Sequence, residues 1–253
     1  MPPVAIMSVR MGDVMSSFER VTCKHGGLTL VGQLARPADG GTGALVMVFP
    51  SALGLGDHAL ASVEQLAEAG YFALGIDMYG DGLAVGYTEG TKTGGFFQEL
   101  VGNPDLLRDR AGAWLETARA LQGVDPARIA AIGYCFGGYC VLELARTGAE
   151  VKAVVSYHGL LTTQRPAAPG TIKAEVVAYC GAKDPYAPLT DVDKLRAEMA
   201  EVGARYQITT FGEAEHSFTD PRANSSGMPG ISYNETAARM AWAGTLALFS
   251  ELL

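Results

Sequence analysis

The chain has 253 residues, 48% of them apolar, enough to bury a large core in one α/β unit. Its formal charge is −8 with no Lys/Arg cluster to offset it, which argues against nucleic acid or an anionic membrane as a partner. No run reaches the roughly 18 apolar residues of a membrane span, and Met1–Ser17 lacks the apolar core and cleavage site of a signal peptide, so a cytoplasmic protein is expected.

Residues 1–17 are expected as a flexible segment, with Met7, Met11 and Met15 as alternative starts, ahead of a single domain over 18–253. Arg20–Lys24 and Leu28–Ala35 flank His25-Gly26-Gly27 and predict an antiparallel hairpin at a sheet edge. After it, short apolar runs alternate with helical patterns. The runs Ala44–Phe49, Phe72–Ile76, Arg128–Ile132, Val151–Ser156, Ala174–Tyr179 and Tyr206–Phe211 are nearly continuous, as parallel strands covered on both faces must be. Helices are predicted from Asp57 or His58 to Ala69, from Pro104 to Leu121 with Asn103 as N-cap, and from Asp191 to Val202 with Thr190 as N-cap. A last helix runs from about Asn234 to Leu252. Trp114 falls on the apolar face of the second helix and is expected in the core. Two glycine-rich connections, Gly80–Gly102 and Thr219–Ser232, follow strands on one side of the sheet and are expected as loops walling a pocket.

The chemistry centres on Gly133-Tyr134-Cys135-Phe136-Gly137-Gly138, between the third central strand and a helix-like run ending near Thr147. A reactive side chain on a sharp strand-to-helix turn needs small neighbours, and the helix N-terminus behind it favours thiolate over thiol. A cysteine nucleophile needs a histidine, and the histidine needs an acid to fix its tautomer. Asp184 follows one strand, in Lys183-Asp184-Pro185, and His216 follows the next, in Glu215-His216-Ser217-Phe218. Cys135, Asp184 and His216 thus lie at three strand ends, in the order of the α/β-hydrolase fold. That fold, a mostly parallel sheet with helices on both faces, is the expected class.

An oxyanion hole would combine the amide of Phe136 with one from Phe49–Asp57, where Ala52 is the candidate donor. Ser51, Leu53, His158, Phe218 and Arg222 are candidate substrate contacts. His158 precedes Asp184, so a pocket-wall or structural role suits it better than that of base. His25 is expected to be solvated, and His58 to cap a helix or line the pocket. Cys140 and Cys180 are expected in the core. No His/Asp/Glu cluster has ligand spacing, so no metal or organic cofactor is implied.

At these motifs the chain resembles the dienelactone hydrolase family, from about Gly40 to the C-terminus, and Asp77-Met78-Tyr79-Gly80 fits the same pattern. The resemblance implies hydrolysis of an ester or lactone through an acyl-enzyme: Cys135 attacks, His216 shuttles the proton and Asp184 orients His216. The best-known members place an activating glutamate where this chain has Ser51. They also hold a substrate carboxylate with arginines, one of them near the position of Asp220 here; Arg222 and Arg108 are the alternatives, both also expected as surface charges. A small ester or lactone is therefore the expected substrate. Thioester hydrolysis or acyl transfer on the same residues stays open, as does a non-catalytic binding or redox-sensing role for an exposed, activated thiol.

Overall fold

Apolar runs without alternation bury both faces of a strand, and here they build one eight-stranded sheet. The computed structural model describes residues 18–38 and 40–253; the arm expected over 1–17 lies outside them. Strands β1 (Glu19–His25) and β2 (Leu28–Ala35) form the antiparallel hairpin. Then follow β3 (Leu45–Phe49), helix α1 (Asp57–Glu68), β4 (Phe72–Gly75), α2 (Thr91–Gly102), α3 (Pro104–Arg119), β5 (Ile129–Tyr134) and α4 (Phe136–Arg146). The chain continues through β6 (Ala153–Tyr157), β7 (Glu175–Gly181), α5 (Leu189–Glu201), β8 (Arg205–Phe211) and α6 (Glu235–Leu252). The order across the sheet is β1-β2-β4-β3-β5-β6-β7-β8; β2 runs antiparallel to both of its neighbours, β1 and β4, and every other pair is parallel.

Successive side chains of a strand point to opposite faces, so each strand feeds two cores. Leu45, Met47 and Phe49 pack with Leu107 and Trp114 of α3, Val141 of α4 and Leu195 of α5. Val46 and Val48 pack with Val63 and Leu66 of α1 and Phe249 of α6. Full burial of such a side chain stabilises by about 1.5–3 kcal/mol, so the central strands form a stiff platform. Trp114 is in the core as expected, and its indole N–H donates to the Asp77 carbonyl at 2.7 Å. Cys140 and Cys180 are buried free thiols.

Several expectations need correcting. Gly80–Gly102 is not a loop throughout: it holds a 3-10 turn, Tyr87–Glu89, and all of α2. Phe96, Phe97, Leu100 and Val101 have helical spacing, but Gly90, Gly94 and Gly95 mask it, because glycine disfavours a helix. Thr219–Ser232 likewise contains a 3-10 turn, Ala223–Ser226. Thr190 is not an N-cap; α5 starts at Leu189 behind Pro188, whose extended backbone breaks the chain direction and whose carbonyl accepts from the Asp191 amide at 2.8 Å. Asn103 does cap α3, accepting from the Leu106 amide at 3.2 Å. His25 is half-buried rather than solvated, with Nδ1 enclosed. Arg108 is not a surface charge: Glu143 of α4, fully buried, pairs with it at 2.7 Å and with Arg146 at 2.9 Å.

Candidate active site

Cys135 is the single residue between β5 and α4, with φ 53° and ψ −113°. A non-glycine residue held in that region costs on the order of 1–3 kcal/mol, offset by the packing on either side. Its amide donates to the Tyr157 carbonyl at 3.0 Å, tying the turn to β6. A side chain at Gly133 would overlap the Gly137 carbonyl, and one at Gly137 would overlap the Phe49 carbonyl. Helix α4 therefore starts within backbone contact of the strands. The loop after β3 folds back on itself through a bond from the Gly54 amide to the Ser51 carbonyl at 3.0 Å. This brings the Ala52 amide, together with that of Phe136, into hydrogen-bonding position on the Cys135 sulfur.

Asp184 leaves β7 in an Asp-Pro turn. Its Oδ1 accepts the amides of Tyr186 at 2.8 Å and Ala187 at 3.1 Å, which leaves Oδ2 for His216 Nδ1 at 2.8 Å. With Nδ1 so engaged, Nε2 is the nitrogen that faces the sulfur. The His216 backbone bridges to Ile231: its amide donates to the Gly230 carbonyl at 2.9 Å and its carbonyl accepts from Ser232 at 3.1 Å. The Tyr186 ring covers the imidazole at 4.7 Å between centroids. Asp184 and His216 are both buried.

Burial alone would neutralise this site. It disfavours the thiolate, but the His216 charge and hydrogen bond, then the Ala52 and Phe136 amides, hold the Cys135 thiol below its ordinary value. It equally disfavours the imidazolium, yet the Cys135 charge and the Asp184 hydrogen bond raise His216 to about 10. Each partner holds the other charged. The two shifts run in the direction that favours a thiolate beside an imidazolium.

Behind His216 stands His158, with φ 38°, edge-on at 5.2 Å between centroids. Burial, followed by the charges of His216 and His58, pushes it well below its ordinary value, so it is neutral. Its Nε2 shares a 2.7 Å hydrogen bond with Thr219 Oγ1, and His58 Nε2 donates to the Thr219 carbonyl at 3.2 Å. Only 2% of His158 and none of Phe218, which packs between Phe211 and His158, is exposed. Neither has surface to offer a substrate. Both brace the His216 loop instead.

Ser51, Leu53 and Arg222 do share a cavity, of about 250 Å³, with Asp57, His58, Glu89 and Asp220. The Arg222 guanidinium is already engaged, by Asp57 at 2.7 Å and Asp220 at 3.3 Å. Asp220 also accepts from the Tyr87 hydroxyl at 3.1 Å. Tyr87 and Tyr186 thus border the site without having been singled out for it. Asp184-Pro185-Tyr186 does place an aromatic two residues after the acid; nothing in the sequence marked Tyr87. Among the described residues no group of three or more His, Cys, Asp or Glu could hold a metal ion, and no helix is long and apolar enough to cross a membrane.

A model of the dienelactone hydrolase family matches residues 30–253. The chain belongs to this family. It is 29% identical over 244 residues to a candidate carboxymethylenebutenolidase of Synechocystis sp., covering 90% of this chain and 94% of that protein. Among solved structures it is similar to a dienelactone hydrolase-like promiscuous phosphotriesterase from metagenomic libraries, with 36% identity, a TM-score of 0.83, and coverage of 93% of this chain and 98% of that one. A candidate dienelactone hydrolase from Klebsiella pneumoniae, at 24% identity, shares the fold with a TM-score of 0.73 over 92% of this chain and 98% of that one. The chain is therefore a hydrolase of this family, built on the α/β-hydrolase fold with its N-terminal hairpin.

Proposed function

We propose that the chain hydrolyses a small, uncharged ester or lactone through a thioester on Cys135. One observation carries this: the Cys135 sulfur is in hydrogen-bonding position to His216 and to the amides of Ala52 and Phe136 at once. Amides that reach the thiolate also lie close to the oxyanion that forms on the carbon the sulfur attacks. In the first step the thiolate attacks the carbonyl carbon and its electron pair forms the C–S bond. The displaced charge on oxygen takes up the two amides. As the C–O bond breaks, the His216 Nε2 proton passes to the leaving alkoxide, which in a lactone stays tethered to the acyl group. Neutral His216 then takes a proton from water as its oxygen attacks the thioester. The C–S bond breaks and the thiolate–imidazolium pair is restored. Asp184 holds the imidazole in the one tautomer that serves both steps.

The lack of charge on the substrate is inferred from the neighbouring cavity, which shares Ser51 and Leu53 of the loop after β3 but is lined by none of Cys135, Asp184 and His216. Its carboxylates, Asp57, Glu89 and Asp220, outnumber its single arginine, and Asp57 and Asp220 already occupy that arginine. A substrate carboxylate brought there would face unpaired negative charge. Phosphotriesters, the class acted on by the 36%-identical neighbour, are equally uncharged and belong in the substrate panel.

Intact-protein mass spectrometry tests this reading. After exposure to small activated esters and lactones at alkaline pH, where the thiol ionises without its histidine, His216→Ala is expected to retain a mass increase equal to the acyl group, and Cys135→Ala to show none. An adduct that persists in Cys135→Ala would sink the proposal, as would ester turnover unchanged by that substitution. Ready oxidation of Cys135 with no adduct from any panel member would favour the redox-sensing alternative.

A further inference from the structure

The Asp77-Met78-Tyr79-Gly80 motif lies outside the three residues assigned to the chemistry, yet four backbone amides converge on its acid. Asp77 Oδ1 accepts from Tyr79 at 2.8 Å and Gly80 at 2.9 Å, and Oδ2 from Val31 and Gly82, both at 2.9 Å. The Met78 carbonyl accepts from Arg110 and the Asp77 carbonyl from Trp114. A carboxylate so saturated fixes the path of the chain just after β4. What that path delivers is Tyr79, only 3% exposed.

Tyr79 touches both sides of the oxyanion hole. Its hydroxyl donates to the Ala52 carbonyl at 3.1 Å. Its ring stacks on Phe136, with centroids 5.8 Å apart and planes 13° from parallel, and on its own side meets Phe96 of α2 at 5.7 Å. The peptide unit following Ala52 is held at its other end too, since the Leu53 amide donates to Ser51 Oγ at 3.3 Å. The Ala52 N–H belongs to the preceding unit, whose Ser51 carbonyl accepts from the Gly54 amide at 3.0 Å; the two units meet at the Ala52 Cα, so a shift of the unit that Tyr79 anchors carries the Ala52 amide away from the sulfur. Resting on the assignment of Ala52 and Phe136 as the oxyanion donors, we propose that Tyr79 is the positioning residue that holds both amides on the reacting atoms. Burial, then the negative charges of Cys140, Cys135 and Asp77, push the phenol well above its ordinary value, so it stays a neutral donor at any working pH. Ser51, where the family's best-known members carry glutamate, closes the loop from the other side.

Tyr79→Phe removes the hydroxyl and keeps the ring. The decisive readout needs no substrate: the rate of Cys135 alkylation by iodoacetamide as a function of pH, with thermal melting as the control for folding. The expected result is a rise in the midpoint of the alkylation profile, because the Ala52 amide no longer stabilises the thiolate, with melting near wild type. With p-nitrophenyl acetate, kcat is expected to fall about tenfold at nearly unchanged KM, less than the 10²–10³ typical of losing a donor outright. A wild-type alkylation profile together with turnover within twofold overturns the proposal. If Tyr79→Phe does not fold, Ser51→Ala releases the opposite end of the same peptide unit and must shift the midpoint in the same direction; no shift overturns it equally. Failure of the ester-hydrolase reading would appear separately, as turnover independent of Cys135.

Discussion

The floor and the wall of this site are built from different material. The floor, from Phe49 to Asp57 and from Gly133 to Gly138, is held by backbone: a strained Cys135, the Ala52 and Phe136 amides at its sulfur, and glycines at positions where any side chain would collide with backbone or Ser156. The wall, from Gly80–Gly102 and Thr219–Ser232, is held by side chains: Tyr87 on Asp220, Asp220 on Arg222, Arg222 on Asp57. Backbone geometry tolerates almost no substitution, whereas ion pairs at a cavity edge can be exchanged one residue at a time. On the proposed function, reaction type belongs to the floor and substrate choice to the wall.

The largest effect is expected on the floor's charge pair. His216→Ala should lower ester turnover by about 10⁴-fold or more, since members of such a unit fail together. It should also change how Cys135 responds to pH. In the wild type the thiol is held below its ordinary value, so its alkylation midpoint is expected at lower pH than that of a free cysteine. Without His216, burial dominates and alkylation should become slow at pH 7, rising only toward alkaline pH. The sign for the histidine is opposite. Its folded-state value is raised from 6.5 to about 10, so its contribution to stability is full below 6.5 and is lost as pH rises through about 10. Wild-type turnover should fall over that same alkaline limb, where the leaving group loses its proton donor. A flat turnover profile across pH 10 would contradict the acid role of His216.

Glycines give the next contrast. Gly137→Ala should destabilise the fold by about 3 kcal/mol or more, because the added carbon meets the Phe49 carbonyl. Gly95→Ala, in α2 with nothing within 4 Å, should stabilise by about 0.5–1 kcal/mol. Urea titrations of the two variants read the difference directly, and equal effects would erase the distinction drawn between floor and wall.

The same contrast explains what the sequence made legible. Gly133, Gly137 and Gly138 around Cys135 announce a tight turn because only one arrangement needs them all, and strand-end positions for Asp184 and His216 follow from short apolar runs. Gly94 and Gly95 in α2 relieve no crowding, so with Gly90 just before the helix they resemble a loop and hide Phe96, Phe97 and Leu100. Phe218 and His158 looked accessible because they neighbour His216 in sequence or strand position. Their burial depends on β8 and the His216 loop closing over them, a tertiary fact with no local pattern. Tyr87 is positioned by a partner 133 residues away, which no local spacing announces.

The smallest effect, and the one that most sharpens the division, is expected from Asp220→Asn. Asp220 accepts the Arg222 backbone amide at 2.9 Å and its Nε at 3.3 Å; burial would raise the carboxyl, but His58 and then Arg222 hold it below its ordinary value. The amide of asparagine is nearly the same shape, so the loop should stay closed and turnover of an uncharged ester such as p-nitrophenyl acetate should stay within about twofold. Its loss of charge leaves Arg222 paired only with Asp57, an exposed contact worth about 0.2–1 kcal/mol, and so available to another anion. Relative kcat/KM for an ester carrying a carboxylate, compared with its uncharged analogue, should then rise by about tenfold, one charge contact's worth. An equal fall for both substrates would mean that Asp220 supports the His216 loop rather than selecting against anions. An unchanged ratio would move substrate choice elsewhere on the wall, to Glu89 or to the exposed rim at Tyr186.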